Sequence, residues 1–307
     1  MRQRWLQNLI LLGVVLVLGA LVFYTTEKDK STELPKLTEI ETDKVQNIRI
    51  ERAGKGPISL IKDAGGVWQM TAPFNLPANS FQVDRLLQIL SEREYKPVEA
   101  DNLNLAELKL EPPLASLKFD QVMVAFGDSS PLGYGQRYVQ VNNKVYLLSD
   151  TLYYTVIGDV LKFVSLSPLG DNPKITALKM PDYHLVLKED KWTLTSTVSS
   201  DDIDTSADAL SSLIDNWQKA SAYKVELYDT KSIAEGEIDI ALQGQEQPLH
   251  FIIVSKAPDL VLARQAKSVQ YQLSVTQIDK LLHLPTKPKS EEASAESEEK
   301  EATEDSQ

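Results

Sequence analysis

Apolar and polar residues alternate along two stretches of the chain, a pattern that predicts β-strands with one buried face. The first stretch carries the runs ISLIK, VWQM, LKF, VMVAF, YVQV and VYLL, and the second carries HLVLK, WTLT, IDIAL, LHFIIV, LVLA and YQLSV. Short polar segments separate neighbouring runs, among them DAGG from Asp63, EDK from Glu189 and NNK from Asn142. Their glycines and asparagines tolerate a positive φ, so these segments predict hairpin turns.

One amphipathic helix interrupts each stretch. The apolar residues at helical i, i+3, i+4 and i+7 spacing are Val83, Leu86, Leu87 and Leu90 in the first, and Leu210, Leu213, Ile214 and Trp217 in the second. This spacing predicts a helix with a single buried face. Thr205, followed three residues later by Asp208, resembles a capping box for the second helix. Shorter helices are predicted to close the stretches at about 151–163 and 276–282.

The two stretches resemble each other at a fixed distance. An offset of 124 residues relates Trp68 to Trp192, Val83 to Ala207 and Val145 to Val269. The motifs YKPVE and YKVE begin at Tyr95 and Tyr223, which are 128 residues apart. The second stretch must therefore contain a small insertion before YKVE and a deletion of the same size after it. Chance similarity of two α+β patterns is the alternative to duplication.

The fold class that follows is α+β, with two tandem modules that each pair a mainly antiparallel sheet with a helix on one face. The first module spans 45–164 and the second spans 175–284. The proline-containing segment SLSPLGDNPK, residues 165–174, is the predicted linker between them.

The amino terminus predicts a transmembrane helix over residues 1–26. No charged residue occurs from Trp5 to Thr26, which is long enough to cross the ~30 Å hydrocarbon core of a bilayer. Trp5 and Tyr24 bracket the run as membrane-interface anchors. A buried core helix and a cleavable signal peptide are the alternatives, although Leu18, two positions before Ala20, gives a poor cleavage pattern. Residues 27–44 then form a polar tether, and the short amino-terminal head places the bulk of the chain outside the cytoplasm.

Charge and composition exclude several classes of function. The formal charge is −12, of which residues 290–307 carry −7, so residues 285–307 are predicted to be a disordered acidic tail. The rest is mildly acidic and has no basic stripe, which argues against nucleic-acid binding. The chain contains no cysteine and therefore no disulfide, thiolate nucleophile or cysteine metal site.

The loop in FGDSSPLGYGQRYVQV, which begins at Phe126, has the glycines of a phosphate-binding loop. A phosphate site needs a helix directly after the glycines, whereas a strand follows here. We therefore interpret the loop as a strand connection. A solvent-facing recognition loop that carries Asp128, Tyr134 and Arg137 is the alternative.

Catalytic and metal-binding motifs are not recognisable. His184, His250 and His283 form no metal-type pair, and a calcium loop read from Asp202 has Leu213 where a glutamate is required. Neither G-x-S-x-G nor a supported S-x-x-K motif occurs. The sequence predicts no catalytic residue, no cofactor and no metal.

At this point the motifs resemble a known family. The order W-x-x-x-x-P from Trp68, VDRLLQIL, LKLEPP, VMVAFG and YVQVNNKVYLL is similar to a bacterial, membrane-anchored domain-of-unknown-function family, number forty-three forty. The resemblance covers most of residues 45–280. It implies the bacterial inner membrane as the location, and some relatives accompany gliding-type ABC transport systems. It supplies no catalytic residues.

The expected function is that of a non-enzymatic, single-pass envelope protein, held in the lipid bilayer, whose modules bind a protein partner as an auxiliary component of an ABC-type transport complex. The alternative is a glycan- or lipid-binding module that uses a groove between the copies and the tyrosines Tyr95 and Tyr223. A hydrolase with an unrecognised site is a third hypothesis.

Overall fold

The computed structural model describes residues 13–19, 35–99, 103–131, 133, 135–197 and 201–287. Most of the predicted membrane helix, including Trp5 and Tyr24, lies outside these residues, as do residues 27–34 and 288–307. The short piece 13–19 is helical. Within the described ranges, no helix has the length and apolar character needed to cross a membrane.

The first module contains one antiparallel sheet of nine strands. The strands are β1 (Asn47–Arg52), β2 (Lys55–Lys62), β3 (Trp68–Ala72), β4 (Leu76–Pro77), β5 (Lys96–Pro97), β6 (Ala115–Phe119), β7 (Val122–Ser129), β8 (Gln136–Val141) and β9 (Lys144–Ser149). Their order across the sheet is β4-β3-β2-β1-β6-β7-β8-β9-β5. Asn142 and Asn143, with φ of 48° and 62°, form the turn between β8 and β9; Lys144, which the prediction also placed in the turn, is the first residue of β9.

The second module contains an antiparallel sheet of eight strands. They are β10 (Ile175–Lys179), β11 (Tyr183–Lys188), β12 (Lys191–Ser196), β13 (Lys224–Leu227), β14 (Gly236–Leu242), β15 (Leu249–Ser255), β16 (Leu260–Arg264) and β17 (Val269–Leu273). The order β12-β11-β10-β14-β15-β16-β17-β13 repeats the first sheet strand for strand, apart from β4. This shared topology supports duplication more strongly than the few sequence identities do.

Both predicted amphipathic helices are confirmed. They are α1 (Ser80–Leu87), continued by a 3-10 turn at Gln88–Ser91, and α3 (Ala207–Gln218). The predicted apolar positions of both helices are buried. The cap of α3 differs from the prediction: Ser206, not Thr205, is the N-cap, and its Oγ accepts a hydrogen bond from the Ala209 amide at 3.3 Å.

Shorter helices close each module, as predicted. The first module ends with α2 (Thr151–Ile157) and a 3-10 turn at Val160–Phe163, and the second ends with a 3-10 turn at Val275–Gln277 and α4 (Ile278–Leu281). Two further 3-10 turns lie at Thr42–Lys44 and Gln265–Lys267.

The predicted offset of 124 residues is one too small at the ends of the two modules. Ser149 Oγ lies 3.0 Å from Thr151 Oγ1 at the end of β9, and Ser274 Oγ lies 3.0 Å from Thr276 Oγ1 at the end of β17. These equivalent residues are 125 apart, not 124. The difference arises because the turn before β17 is longer than the turn before β9.

Some residues of the predicted tether and of the predicted linker are buried in the folded protein. Leu37 and Thr38, in the predicted tether, are buried, and the Thr38 hydroxyl donates to the Leu90 carbonyl at 3.0 Å. In the predicted linker, Ser165 and Leu169 are buried. One continuous hydrophobic cluster contains core residues of both modules, so the two sheets are held by a shared core.

The carboxyl-terminal end of the second module also extends past its predicted limit at residue 284. Thr286 forms a bridge with Ile203, and the Lys287 amide donates to the Asp202 carbonyl at 2.7 Å. Residues 285–287, which the sequence placed in the acidic tail, therefore belong to the folded module.

Candidate functional site

An open cleft of about 1050 Å³ lies where the two modules meet. We call it the inter-module cleft. The first module contributes side chains from α1, α2 and the end of β9, and the second contributes the start of β13. The lining includes Arg85, Ser149, Asp150, Thr151, Tyr154, Asp159, Lys162, Tyr223 and Lys224.

Main-chain hydrogen bonds hold the two walls of the cleft together. The Asn79 amide donates to the Phe163 carbonyl and the Ser165 amide donates to the Pro77 carbonyl, both at 2.8 Å. On the other side, the Ala222 amide donates to the Leu166 carbonyl at 2.8 Å. The segment 163–166 is therefore bonded to both modules, and it places Tyr223 on the cleft wall facing the first module.

Tyr154 is the exposed aromatic residue of the first wall, with 60% of its surface accessible. Its ring packs edge-on against Tyr153, with centroids 5.9 Å apart. The guanidinium of Arg137 lies 3.6 Å from the centroid of the Tyr153 ring, a cation–π arrangement. Tyr154 thus stands on a packed aromatic base and presents its ring to the cleft.

Arg137 is not the solvent-facing residue that the recognition-loop hypothesis required. It is 6% exposed, its Nε donates to Asp150 Oδ1 at 2.5 Å, and its NH1 donates to the Gly127 carbonyl at 2.5 Å. The physical reason is register: in β8, Arg137 shares the buried face with Val139 and Val141. A buried guanidinium requires such partners, because unpaired burial of charge is costly.

The other residues of that hypothesis are placed differently. Asp128 is half-buried and forms an ion pair with Lys109 at 2.8 Å; the hydrogen bond from Lys109 holds the pKa of the Asp128 carboxyl below its usual value. Tyr134 lies outside the described residues. The structure therefore does not bring Asp128 and Arg137 together as one recognition surface.

Tyr223 is the exposed aromatic residue of the second wall, with 55% of its surface accessible. Its hydroxyl donates to Asp259 Oδ2 at 2.7 Å, and this hydrogen bond raises the pKa of the Tyr223 hydroxyl. Of the cationic side chains around the cleft, Lys224 pairs with Glu226. Arg85 and Lys162 add positive charge to the rim, and Asp159 adds negative charge.

Tyr95 does not join Tyr223 in a common aromatic platform. It lines a different groove of about 890 Å³, beside residues 35–40 and the turn between β8 and β9. Its ring packs edge-on against Tyr146 at 5.1 Å, and its hydroxyl donates to the Pro35 carbonyl at 3.0 Å. Of the two tryptophans at equivalent strand positions, Trp68 is a buried core residue, whereas Trp192 is half-buried.

Two histidines lie beside aspartates in the described part of the chain. No group of three or more His, Asp or Glu side chains is arranged there to hold a metal ion. His250 Nδ1 lies 2.7 Å from Asp239 Oδ1, and His283 Nδ1 lies 3.0 Å from Asp279 Oδ1; both pairs are exposed.

The sequence did not predict that Tyr154 lines a cleft or that Arg137 and Asp150 form a buried ion pair. The alternation Arg137, Val139, Val141 was a usable signal for the buried arginine, because period-2 spacing places all three on one face. No comparable signal marked Tyr154, since its place in the cleft depends on where the second module lies relative to α2.

Comparisons with known proteins give one match. Residues 68–165 match the family described as Domain of unknown function (DUF4340), the family numbered forty-three forty above. This range runs from β3 through the 3-10 turn after α2, so it is narrower than the resemblance inferred over residues 45–280. No curated protein and no solved structure matches the chain. Over residues 68–165, the first module is therefore similar to the DUF4340 family.

Proposed function

We propose that the chain is a non-enzymatic envelope protein whose two modules together bind a protein partner, as an auxiliary component of an ABC-type transport complex. The carrying observation is the inter-module cleft, whose opposite walls present the exposed rings of Tyr154 and Tyr223 on main chain fixed by segment 163–166. Rigid tyrosines that lose little side-chain entropy on contact are enriched at protein interfaces.

The proposal includes a single membrane anchor at residues 1–26, with Trp5 and Tyr24 at the two interfaces, and the modules on the extracytoplasmic side of the inner membrane. The uncharged run from Trp5 to Thr26 supports it. Leu37 and Thr38 dock on the first module, so the chain between anchor and module is short. The modules would then stand near the membrane surface, within reach of a membrane-embedded partner.

The test is crosslinking of the full-length protein in its own membranes, followed by gentle extraction and mass spectrometry. We expect ABC-type membrane subunits to be recovered, and their recovery to fall at least tenfold when Tyr154→Ala and Tyr223→Ala are combined. Met123→Ala, an exposed apolar residue on β7, is the matched control and should leave recovery unchanged. Recovery of the chain alone would refute the proposal.

A second candidate is a glycan-binding module. Tyr154 and Tyr223 are exposed and line a concave surface, as sugar-stacking rings do. Saturation-transfer NMR of the full-length protein with envelope glycan fragments tests this directly. Transfer that persists in the double tyrosine variant would exclude the cleft as the glycan site.

A further inference from the structure

The two modules differ at one sheet edge. In the first module, β4 covers the outer side of β3, with Met70 opposite Leu76 and the Ala78 amide donating to the Trp68 carbonyl at 2.9 Å. In the second module, β12 is the equivalent of β3. It is the last strand in the order, and no described strand pairs with its outer side.

In the second module, the side chains that match those beneath β4 are not covered by any described strand. Trp68 is 7% exposed and Met70 is 0% exposed beneath β4 and its flanks. Their equivalents by the 124-residue offset, Trp192 and Leu194, are only half-buried. A groove of about 480 Å³ opens beside Trp192, between β12 and α3, lined in part by Leu187 and Ile214.

The edge at β12 also lacks the features that protect other edges from pairing. Natural sheets protect edges with very short strands, proline or charge. The edge strands β4 and β5 are two residues long and contain Pro77 and Pro97, and β13 carries Lys224 and Glu226. By contrast, β12 is six residues long, and its only charged residue is Lys191 at the turn.

We infer that β12 is a docking strand for an extended, uncharged, apolar segment of a partner protein, which pairs antiparallel with it and covers Trp192 and Leu194. The molecule itself indicates the occupant, because the equivalent place on β3 is filled by a short segment with one buried leucine, Leu76. Main-chain pairing supplies the affinity in this mode, and the side-chain pocket supplies selectivity. The inference rests on the proposed function, since it adds a second contact, at β12, to the contact of the protein partner with the inter-module cleft.

The test uses the full-length protein and a synthetic peptide with the chain's own sequence APFNLPA, residues 72–78, which is the segment that fills this place in the first module. Hydrogen–deuterium exchange is followed by mass spectrometry with peptide up to about 1 mM, because a short pairing supports only weak affinity. We expect exchange of residues 189–197 to slow at least tenfold at saturation, while exchange of β13 stays unchanged.

Two variants of β12 make the test specific. Leu194→Lys places a charge on the face that the segment would cover and should weaken peptide binding at least tenfold. Thr193→Lys, on the opposite and exposed face of the same strand, should leave binding within twofold. Unchanged near-ultraviolet circular dichroism of both variants would show that their fold is retained. If either variant fails to fold, the exchange measurement on the unsubstituted protein still tests the inference.

The outcomes separate this inference from the proposed function. Unchanged exchange in β12 at saturating peptide would overturn the docking strand, even if membrane subunits are recovered by crosslinking. Protection that already exists without peptide and disappears on dilution would also overturn it, because a second copy would then occupy the edge. Protection by peptide with no partner recovered would refute the proposed function and leave the docking strand standing.

Discussion

Arg137 and Asp150 form a buried ion pair in the first module, with Nε and Oδ1 2.5 Å apart. The repeat places Leu260 and Val275 at the equivalent positions of the second module, where no such pair exists. The pair also supports the aromatic base of the inter-module cleft, through the stacking of Arg137 on Tyr153. One module has therefore kept a polar contact in its interior that the other has not.

Breaking this pair should destabilise the protein. Asp150→Val alone leaves the buried guanidinium without its carboxylate, and we expect a loss of about 3–5 kcal/mol in the free energy of unfolding. Arg137→Leu combined with Asp150→Val, the residues of the second module, should recover more than half of that loss. Urea unfolding of the full-length protein measures both. A double variant as unstable as the single one would contradict the explanation.

The N-cap of α3 offers a sharp comparison of neighbouring residues. Ser206→Ala removes the side-chain oxygen that accepts from the Ala209 amide and should cost about 0.5–2 kcal/mol in unfolding free energy. Thr205→Ala, one residue earlier, should change it by less than about 0.5 kcal/mol. Equal losses in the two variants would contradict the assignment of Ser206 as the N-cap.

Gly127 is required by a close backbone approach. A Cβ at this position would lie 2.3 Å from the Leu108 carbonyl oxygen, so Gly127→Ala must displace main chain. We expect a loss of about 1–3 kcal/mol in thermal or urea unfolding. Gly56→Ala is the control, because its Cβ would meet no atom within 4 Å, and it should be neutral or slightly stabilising.

Tyr183 should make stability fall at high pH. Its side chain is buried, its hydroxyl has no hydrogen-bond partner among the described residues, and burial, together with the charge of Asp182, raises the pKa of the hydroxyl above its usual value. Because the folded-state pKa exceeds the unfolded value of about 10, the stability that depends on the neutral form is complete below pH ~10 and is lost as pH rises above it.

The measurement is the free energy of unfolding at pH 8 and pH 11. Tyr183→Phe should reduce the loss between these two values and be neutral or stabilising at pH 8, since it removes a buried unpaired hydroxyl. Tyr154→Phe, on an exposed ring, should leave the pH dependence as it was. An identical decline in Tyr183→Phe and the unsubstituted protein would refute the assignment.

The fold was largely predictable because its repeating signals are local. The spacing of Val83, Leu86, Leu87 and Leu90 defined α1 and its buried face, and the asparagines at 142 and 143 defined a hairpin turn. Strands β1 and β10 were missed, although Ile48 and Ile50 alternate with polar residues, because the run NIRIER is short and highly charged. A central strand is fixed by pairing on both sides, which no local pattern records.

The candidate sites were less predictable, because they depend on contacts between distant segments. Tyr154 lines the cleft because of how the two modules are placed, and no described strand of the second module corresponds to β4 at the edge of β12. The burial of Leu37, in the predicted tether, was not predicted because its neighbours in the sequence are polar. These features arise from tertiary placement of residues whose local sequence is ordinary.

The strand order has a further consequence for how fast the chain acquires its structure. In each sheet the first strand lies beside a strand from beyond the helix: Ile50 faces Leu117, 67 residues later, and Leu178 faces Ile240, 62 residues later. Each central pairing must close a long loop before it gains stability, and such topologies fold in milliseconds to seconds rather than microseconds. Until those loops close, the hairpins on either side of the central pairing have unpaired strand edges. The newly made chain can therefore aggregate with another copy if the central strands pair too slowly.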